Sequence, residues 1–290
     1  MPRLEVPAEA AGERLDAFLA RHAGSRTAAQ RLIDGGLVRV DGEEKAKRYT
    51  LRGGEVIEVE EEAAASAAED VPEARFSIAW EDEHLLVIDK PPGVVVHPAR
   101  GHAGGTLAQA LEPLGAAGGP EGRRGIVHRL DRDTSGLLVV ARSEEVHAAL
   151  QAALRARGIL REYLALVEGR PDSRTGTIEA PLGRDRRVRT RMSTDTADGR
   201  AAITHFETER VLDGYTLLRV RLETGRTHQI RAHLKAIGHP VAGDPEYGHA
   251  GALGLERQFL HAERLAFDHP VTGERIDVRS PLPEDLARVL

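Results

Sequence analysis

An acidic segment at residues 61–74 constrains the fold of this chain more than any other feature, because it divides the 290 residues into two parts. Ala, Ser and Glu dominate the segment, Pro72 stands near its end, and it carries five negative side chains and no positive one. This composition is typical of a flexible linker. We therefore predict a small domain at residues 12–60 and a larger domain at residues 75–290.

The small domain has the pattern of two short helices followed by strands. Leu15, Phe18 and Leu19 follow the i, i+3, i+4 spacing of an amphipathic helix. Ser25 is a good N-cap for a second helix, which the glycine pair at 35–36 ends. The predicted elements are a helix after Gly12, a helix after Ser25, a strand at 37–40 and a strand at 56–59.

A charged turn followed by an apolar strand is the most informative feature of the larger domain. The run at residues 125–140 places Asp131 between Arg129 and Arg132, just ahead of an apolar strand that starts at Leu137. Strand ends and the loops beside them are where a rigid scaffold displays catalytic groups. Asp131 is therefore a candidate catalytic carboxylate, although a surface turn with an ordinary ion pair would use the same residue types.

A helix farther along the chain supplies further candidate side chains. It follows a strand predicted at 217–222 and ends at Gly238. Its apolar stripe consists of Ile230, Leu234 and Ile237. Its cationic face, at spacing i, i+3 and i+7, consists of His228, Arg231 and Lys235. We expect the helix to bury the first set and to offer the second set to a partner.

Four segments of the larger domain resemble, in sequence and in order, pseudouridine synthases of the RluA type. They are the Lys-Pro-x-Gly turn at 90–93, the run from His-Arg-Leu-Asp at 128–138, the strand at 161–169 and the run at 224–234. The family places a tyrosine where this chain has Tyr163, and usually a lysine where it has Arg161. The small domain resembles the S4 RNA-binding module. This combination points to the RluC- and RluD-like branch, which modifies large-subunit ribosomal RNA.

The resemblance implies an α+β fold, with a small S4-like domain linked to a catalytic domain built on a mixed or antiparallel sheet. It also implies an isomerase that breaks the N-glycosidic bond of a uridine in RNA, rotates the base and rejoins it to ribose through C5. Nothing is added or removed overall, so we expect no cofactor, nucleotide or metal. The expected partner is RNA, with ribosomal RNA as the leading candidate.

The same resemblance assigns roles to individual side chains. Asp131 is implied as the essential carboxylate, which could add to the uracil ring, attack ribose C1′ or take the C2′ proton. Arg231 is the candidate to pair with Asp131 in a bidentate manner, and Tyr163 to stack on the uracil. Arg129 is suited to fill the position of a flipped-out uridine. The further RNA-binding candidates are Arg26, Arg31, Arg226 and His228.

Composition limits the other classes of protein. The chain has no cysteine, which excludes disulfides, thiolate zinc sites and cysteine nucleophiles. Its histidines match no zinc motif, and no stretch approaches the roughly 18 apolar residues of a membrane span. The net charge of −6 decides little, because five arginines at 184–191 form a local basic patch. We expect a cytoplasmic monomer that does not contact a membrane.

Two other functions remain open on the sequence alone. One is a non-catalytic S4-type RNA-binding or ribosome-assembly factor, and the other is an N-glycoside hydrolase that acts on nucleic acid. The presence of Asp131, Tyr163 and Arg231 argues against a site that has lost catalysis. Release of free base from RNA would identify the hydrolase.

Overall fold

The computed structural model describes residues 3–23, 26–59, 74–97, 104–120, 122–188, 190–196 and 198–290, with the side chains of all of these except 26–28 and 31. The chain divides into two compact units, Met1–Val71 and Pro72–Leu290. Ser25, the linker up to residue 73 and the side chains of Arg26 and Arg31 lie outside the described residues. No helix within the described ranges is long and apolar enough to cross a membrane.

The small unit contains two helices and an antiparallel sheet whose strand order is β1-β4-β2-β3. Its elements are β1 (Arg3–Glu5), a 3-10 turn (Ala8–Ala10), α1 (Leu15–Ala20), α2 (Arg26–Asp34), β2 (Val38–Val40), β3 (Glu43–Glu44) and β4 (Val56–Val59). The two predicted helices and the two predicted strands are confirmed.

Apolar side chains of α1 form the centre of the small unit. Leu15, Phe18 and Leu19 are buried together with Ile33 of α2 and Ile57 of β4. Burying side chains of this size stabilises a fold by about 1.5–3 kcal/mol each. The i, i+3, i+4 pattern that predicts α1 is therefore also the pattern that holds the helices on the sheet.

The larger unit is built on one mixed sheet, with a separate hairpin formed by β10 and β11. Its strands are β5 (Ser77–Glu81), β6 (Leu85–Lys90), β7 (Ser135–Ala141), β8 (Leu160–Glu168), β9 (Thr175–Glu179), β10 (Gly183–Arg184), β11 (Met192–Ser193), β12 (Ile203–Leu212), β13 (Tyr215–Leu222), β14 (Leu260–Asp268) and β15 (Arg275–Arg279). Its helices are α3 (Leu107–Ala110), α4 (Glu144–Arg155), α5 (Gln229–Ala236) and α6 (Glu284–Ala287), with 3-10 turns at Glu112–Leu114 and Ala252–Gly254.

The strands of this sheet follow the order β5-β6-β7-β14-β8-β13-β12-β9, and β15 also pairs with β14. The pairing of β7 with β14 is parallel, and the other pairings among the described strands are antiparallel. The expected mixed sheet is confirmed. Three of the antiparallel pairs, β5–β6, β12–β13 and β14–β15, join consecutive strands through short turns.

Both faces of the sheet are covered, because its central strands are apolar on both sides. On β7, Leu138 belongs to one core together with Leu234 of α5. The adjacent residue Leu137 belongs to a second core together with Leu150 of α4. Successive side chains of a strand point to opposite faces, so α4 and α5 pack on opposite faces of the sheet.

A glycine allows β7 and β14 to approach each other closely. Gly136 pairs with Ala262 and has a φ of 111°. A Cβ atom at this position would lie 2.3 Å from the carbonyl oxygen of Ala262, so only glycine fits. One residue earlier, Ser135 Oγ and His261 Nδ1 lie 3.0 Å apart. The start of β7 is thus fixed on β14 directly after the turn that carries Asp131.

The strand and helix predicted after residue 217 are β13 and α5, but two expectations about the helix were wrong. Ile237 follows the end of α5 and is 38% exposed, so it is not part of the buried stripe. Arg231, expected on a face offered to a partner, is only 4% exposed. Carboxylates from the loop that follows α5 cover it.

Candidate active site

Six of the eight predicted site residues line one cleft of the larger unit. This cleft has a volume of about 550 Å³ and is formed by the turn around Asp131, the start of β8 and the start of α5. The six residues are Asp131, Tyr163, Arg231, Arg129, Arg226 and His228. The other two, Arg26 and Arg31, belong to the small unit, and their side chains lie outside the described part of the chain.

Two buried cations hold the turn that carries Asp131. Lys90 is fully buried, and its Nζ donates to the carbonyl oxygen of Arg132 at 2.8 Å and to two carbonyls of the segment that follows Lys90 itself. Arg257 Nη1 donates to the carbonyl oxygen of Asp133 at 3.0 Å. The Lys-Pro-x-Gly turn found in the sequence therefore fixes the backbone immediately after Asp131.

Arg231 lies at the centre of a cluster of three carboxylates. Its Nε donates to Asp244 Oδ2 at 2.7 Å and its Nη2 to Asp244 Oδ1 at 2.8 Å, which forms a bidentate pair. Nη2 also donates to Glu246 Oε2 at 2.8 Å. Nη1 donates to Asp131 Oδ2 at 3.3 Å. Arg231 therefore connects Asp131 to the loop that follows α5.

The expectation that Arg231 pairs with Asp131 is confirmed, but the bidentate form of that pair was wrong. The bidentate partner is Asp244, which is fully buried, and Asp131 makes one longer contact. Burial disfavours the charge of Arg231, but the hydrogen bonds and the negative charge of Asp244 outweigh it and raise the pKa of Arg231 above its usual range. Arg231 thus remains a fixed cation beside Asp131.

Tyr163 forms part of the cleft wall on β8 and is 4% exposed. Burial raises the pKa of its phenol, and the charge of Asp131 raises it further, whereas Arg161 lowers it. The hydroxyl therefore keeps its proton at neutral pH. A neutral aromatic ring in a cleft wall is suited to stack on a planar base.

The remaining predicted residues lie around the opening of the cleft. His228 precedes α5 with a φ of 54°, and its Nδ1 is 3.0 Å from Tyr247 Oη. That oxygen accepts the N–H of Met192 at 2.7 Å, so the phenol proton is free to point at His228. Arg129 and Arg226 are exposed where they line the cleft.

His128, the first residue of the His-Arg-Leu-Asp run, has a structural position. It is 9% exposed, and its Nε2 accepts the N–H of Val139 on β7 at 3.4 Å. Burial, together with the charge of Arg161, lowers the pKa of His128 to about 3. The imidazole is neutral at physiological pH, so it adds no charge to the cleft.

Sequence analysis missed the carboxylates that hold Arg231. Asp244, Glu246 and Tyr247 form the loop that covers this arginine, and Asp244 Oδ1 accepts the N–H groups of both Glu246 and Tyr247, at 2.9 and 3.1 Å. The available signal was the Gly-Asp pair at 243–244, which follows soon after the run at 224–234. A carboxylate shortly after a cation that enters the core is a candidate for its partner.

Comparison with protein families gives two matches along the chain. The model of the family described as RNA pseudouridylate synthase matches residues 84–236, and that of the S4 domain matches residues 13–57. The first match covers more than half of the chain. This chain belongs to the RNA pseudouridylate synthase family. The enzyme is therefore an isomerase that acts on RNA, as predicted, and the hydrolase and the non-catalytic factor are set aside.

Curated relatives match the enzyme over nearly its whole length. The ribosomal large subunit pseudouridine synthase D of Xanthomonas campestris is 44% identical over 98% of this chain and 90% of the relative. The protein of the same name from Pseudomonas aeruginosa is 44% identical over 99% of this chain and 93% of the relative. An uncharacterized RNA pseudouridine synthase of Chloroflexus aurantiacus is 47% identical over 98% of this chain and 91% of the relative.

Solved structures show the same fold. Human RNA pseudouridylate synthase domain containing 1 superimposes with a TM-score of 0.58 at 27% identity, over 74% of this chain and 88% of that chain. Human RNA pseudouridylate synthase domain containing 4 gives a TM-score of 0.57 at 22% identity, over 73% of this chain and 91% of that chain. The predicted α+β fold with an S4 domain and a synthase domain is confirmed.

Proposed function

We propose that this enzyme converts uridine to pseudouridine in large-subunit ribosomal RNA and that Asp131 is its essential catalytic residue. Two relatives with 44% identity are named for the ribosomal large subunit, which supports this class of RNA. The observation that carries the proposal for Asp131 is its position: the carboxylate lines the cleft beside Tyr163, and its Oδ2 accepts a hydrogen bond from the buried Arg231 at 3.3 Å.

Asp131 is suited to the reaction because a carboxylate can act as a nucleophile or as a base. Addition to the uracil ring, attack on ribose C1′ and removal of the C2′ proton all require its ionised form. Arg231 supplies a charge-assisted hydrogen bond that fixes the orientation of this carboxylate. We propose that Arg231 acts by positioning Asp131.

A uridine within folded RNA has to leave its stack to reach Asp131. We propose that the flipped uracil stacks on the ring of Tyr163, and that the Tyr163 hydroxyl assists the final loss of the C5 proton by accepting it while its own proton passes to water. Arg129, exposed two residues before Asp131, is proposed to occupy the place that the uridine leaves. His228 and Arg226 are proposed to contact the RNA at the opening of the cleft.

We further propose that residues 12–60 act as a second RNA contact through Arg26 and Arg31, and that residues 61–74 link this domain to the synthase domain. The S4 match at residues 13–57 supports the RNA contact. We also propose that the enzyme acts as a monomer. A ribosomal RNA substrate supports a cytoplasmic location.

The substrate is tested by mapping pseudouridine chemically in ribosomal and transfer RNA from a strain that lacks the enzyme. We expect at least one large-subunit pseudouridine to disappear and to return when the parent gene is restored. The Asp131→Asn variant should fail to restore it, since the amide keeps the shape and removes the charged oxygen. A strain whose large-subunit pseudouridines are all retained would contradict the assignment of the RNA.

The role of Asp131 is tested by release of tritium from C5 of labelled uridine in RNA. We expect Asp131→Asn to bind RNA nearly as well as the parent and to lose turnover by roughly a thousandfold or more. Asp133→Asn is the matched control, because Asp133 lies in the same turn but pairs with the exposed Arg132 at 2.9 Å. Activity of Asp131→Asn within about tenfold of the parent would falsify the assignment.

A further inference from the structure

We propose that Arg161 binds a phosphate group of the RNA backbone next to the uridine held in the cleft. Arg161 lies on β8 two residues before Tyr163 and lines the same cleft. The proposal rests on the proposed function, because it takes the uridine to lie against Tyr163. It assigns a substrate contact to a residue outside the set formed by Asp131, Tyr163 and Arg231.

The first observation is a buried cation without an anion. Arg161 is 5% exposed, yet it forms no ion pair with any carboxylate in the described part of the chain. Its Nη2 makes two long hydrogen bonds, both at 3.3 Å, to the carbonyl oxygens of Leu222 and Glu223, and its buried Nε makes none with the described residues. Burying a charge without a partner is costly, so such a group is retained where a ligand supplies the partner.

The second observation is a glycine that makes room for the guanidinium. A Cβ atom at Gly225 would lie 2.6 Å from Arg161 Nη1. Gly225 itself lines the cleft, in the turn that leads from β13 to α5. The backbone of this turn therefore lies directly against the cationic end of Arg161, where a side chain would displace it.

The charges of the cleft leave room for one anion at Arg161. The carboxylate of Asp131 is engaged by Arg231 and forms no ion pair with Arg161. His128 is neutral at physiological pH because burial and the nearby Arg161 lower its pKa to about 3. Tyr163 is also neutral, since burial raises the pKa of its phenol. The uncompensated positive charge of Arg161 thus calls for an anion that the described residues do not supply.

The spacing along β8 favours a backbone phosphate as this anion. Residues two apart on a strand lie on the same face about 6.6 Å from each other. If the uracil stacks on Tyr163, this distance carries Arg161 beyond the ring to the sugar–phosphate backbone. The planar fork of arginine matches a phosphate in a bidentate manner, and phosphates receive most protein contacts to nucleic acid.

The first test compares the parent with Arg161→Gln and Arg161→Lys on a large-subunit ribosomal RNA transcript that carries tritium at uridine C5. We expect Arg161→Gln to raise KM by roughly tenfold to a hundredfold and to reduce the salt dependence of binding by about one phosphate contact, while the rate at saturating RNA changes little. Arg161→Lys should restore part of the affinity, because it keeps the charge and loses the fork. The matched control is Arg275→Gln, a change at a half-exposed arginine on β15 outside the cleft.

A second variant keeps the cation and moves it. Gly225→Ala should raise KM in the same direction as Arg161→Gln, because the new methyl group displaces Nη1. The Gly225→Ala change should have little further effect in an Arg161→Gln background. This dependence separates displacement of Arg161 from any general disturbance of the turn.

Thermal unfolding tests the inference without RNA. Inorganic phosphate, compared with chloride at equal ionic strength, should raise the unfolding temperature of the parent more than that of Arg161→Gln. Arg161→Gln alone should unfold at the parent's temperature or above it, since it removes a buried unpaired charge. A purely structural arginine would instead give a lower unfolding temperature and an equal phosphate response.

Three results overturn the inference while leaving the proposed function intact. They are an unchanged KM and salt dependence for Arg161→Gln, an equal response to phosphate in the two proteins, and a loss confined to the saturated rate. The last result would mean that the charge of Arg161 acts on the uracil during the reaction and not on a backbone phosphate. A parent that forms no pseudouridine in the transcript would count against the proposed function, and the phosphate comparison would still decide the role of Arg161.

Discussion

Arg231 shows how a buried residue can determine the position of a side chain in the cleft. Its Nε and Nη2 are engaged by Asp244 and Glu246, so Nη1 is the nitrogen directed at Asp131. A guanidinium is planar, and a bidentate pair at one edge therefore determines where the other edge points. The position of the Asp131 carboxylate is set by a residue that never reaches the cleft, namely Asp244.

The dependence of Asp131 on Asp244 leads to a first prediction. Asp244→Asn removes one partner of a buried ion pair, which costs about 3–5 kcal/mol of unfolding free energy, and it frees Arg231 to turn. We expect lower stability in urea unfolding together with a reduced rate at saturating RNA. Glu246→Gln is the matched control, because the side chain of Glu246 is 32% exposed and makes a single contact to Arg231. Equal effects of the two changes would contradict the leading role of Asp244.

Lys90 leads to a prediction about pH. Burial lowers the pKa of Lys90 to about 7, although Asp133 and Asp131 act in the opposite direction. In the unfolded chain the pKa of this lysine is about 10.4. Between about pH 7 and about pH 10.4 the unfolded state therefore binds more protons than the folded state. The stability of the parent relative to Lys90→Met should therefore rise with pH from about 7 upward, by at most about 1.4 kcal/mol per pH unit.

Urea unfolding of both proteins from about pH 6 to about pH 9 measures this difference. The three carbonyl oxygens around Lys90 Nζ favour the ammonium form and so act against the effect of burial. A difference that stays constant over this range would mean that these acceptors hold Lys90 charged in the fold.

At the scale of single residues, sequence predicted the residues that line the cleft better than the residues that hold them in place. Asp131, Tyr163 and Arg231 stand in recognisable runs, and all three line the cleft. Asp244 follows Arg231 by 13 residues, and it pairs with Arg231 because the intervening chain folds back toward α5. Sequence spacing alone does not show this. Arg161 was visible as a departure from the usual lysine, but packing decides that no described carboxylate pairs with it.

Among the elements, β7 determines the position of the turn that carries Asp131. It begins four residues after Asp131, is buried on both faces and lies close to β14 at Gly136. Any change that separates β7 from β14 should therefore also move the turn.

Gly136→Ala tests this coupling. The added Cβ would meet the carbonyl oxygen of Ala262 at 2.3 Å, and the φ of 111° is unfavourable for alanine. Gly273→Ala is the matched control, because Gly273 has a φ of 74° with no atom near the added Cβ. We expect about 1 kcal/mol of destabilisation at Gly273 from backbone strain, and about 1–3 kcal/mol more at Gly136 together with a lower rate of tritium release. Similar losses at both glycines would argue against a close contact between the strands.

Hydrophobic periodicity predicted the helices and strands well, because the spacing of apolar residues shows which side of each element is buried. It failed for the face of α5 that carries Arg231, since a helix shows which residues share a face and not which loop covers that face. The loop at 244–247 turns a face that looks cationic into part of the interior. For the same reason the exposure of Ile237 depends on where the helix ends, which spacing alone does not fix.

For the whole molecule, the two compact units suggest a division of labour between RNA binding and chemistry. Deleting residues 1–71 removes the smaller unit and leaves Asp131, Tyr163 and Arg231 in the larger one, which has its own cores. We expect weaker binding to the natural RNA, because a tethered second contact raises the effective concentration, and little change in the saturated rate. Single-turnover kinetics at saturating RNA measure the two effects separately.

Circular dichroism and thermal unfolding provide the control that the shortened enzyme is folded. A folded, RNA-binding fragment that has lost its saturated rate would contradict the expected division of labour. It would mean that the S4 domain helps to form the active site.

The parallel pairing of β7 with β14 also has a consequence for the order of events during synthesis. Ser135 and His261 meet across this pair although they are 126 residues apart in the chain. At usual rates of translation, β7 has to wait on the order of ten seconds for β14 to be made. A nascent chain therefore holds the proposed catalytic carboxylate well before it holds the strand that anchors it. The catalytic turn can therefore reach its folded position only after β14 has been made.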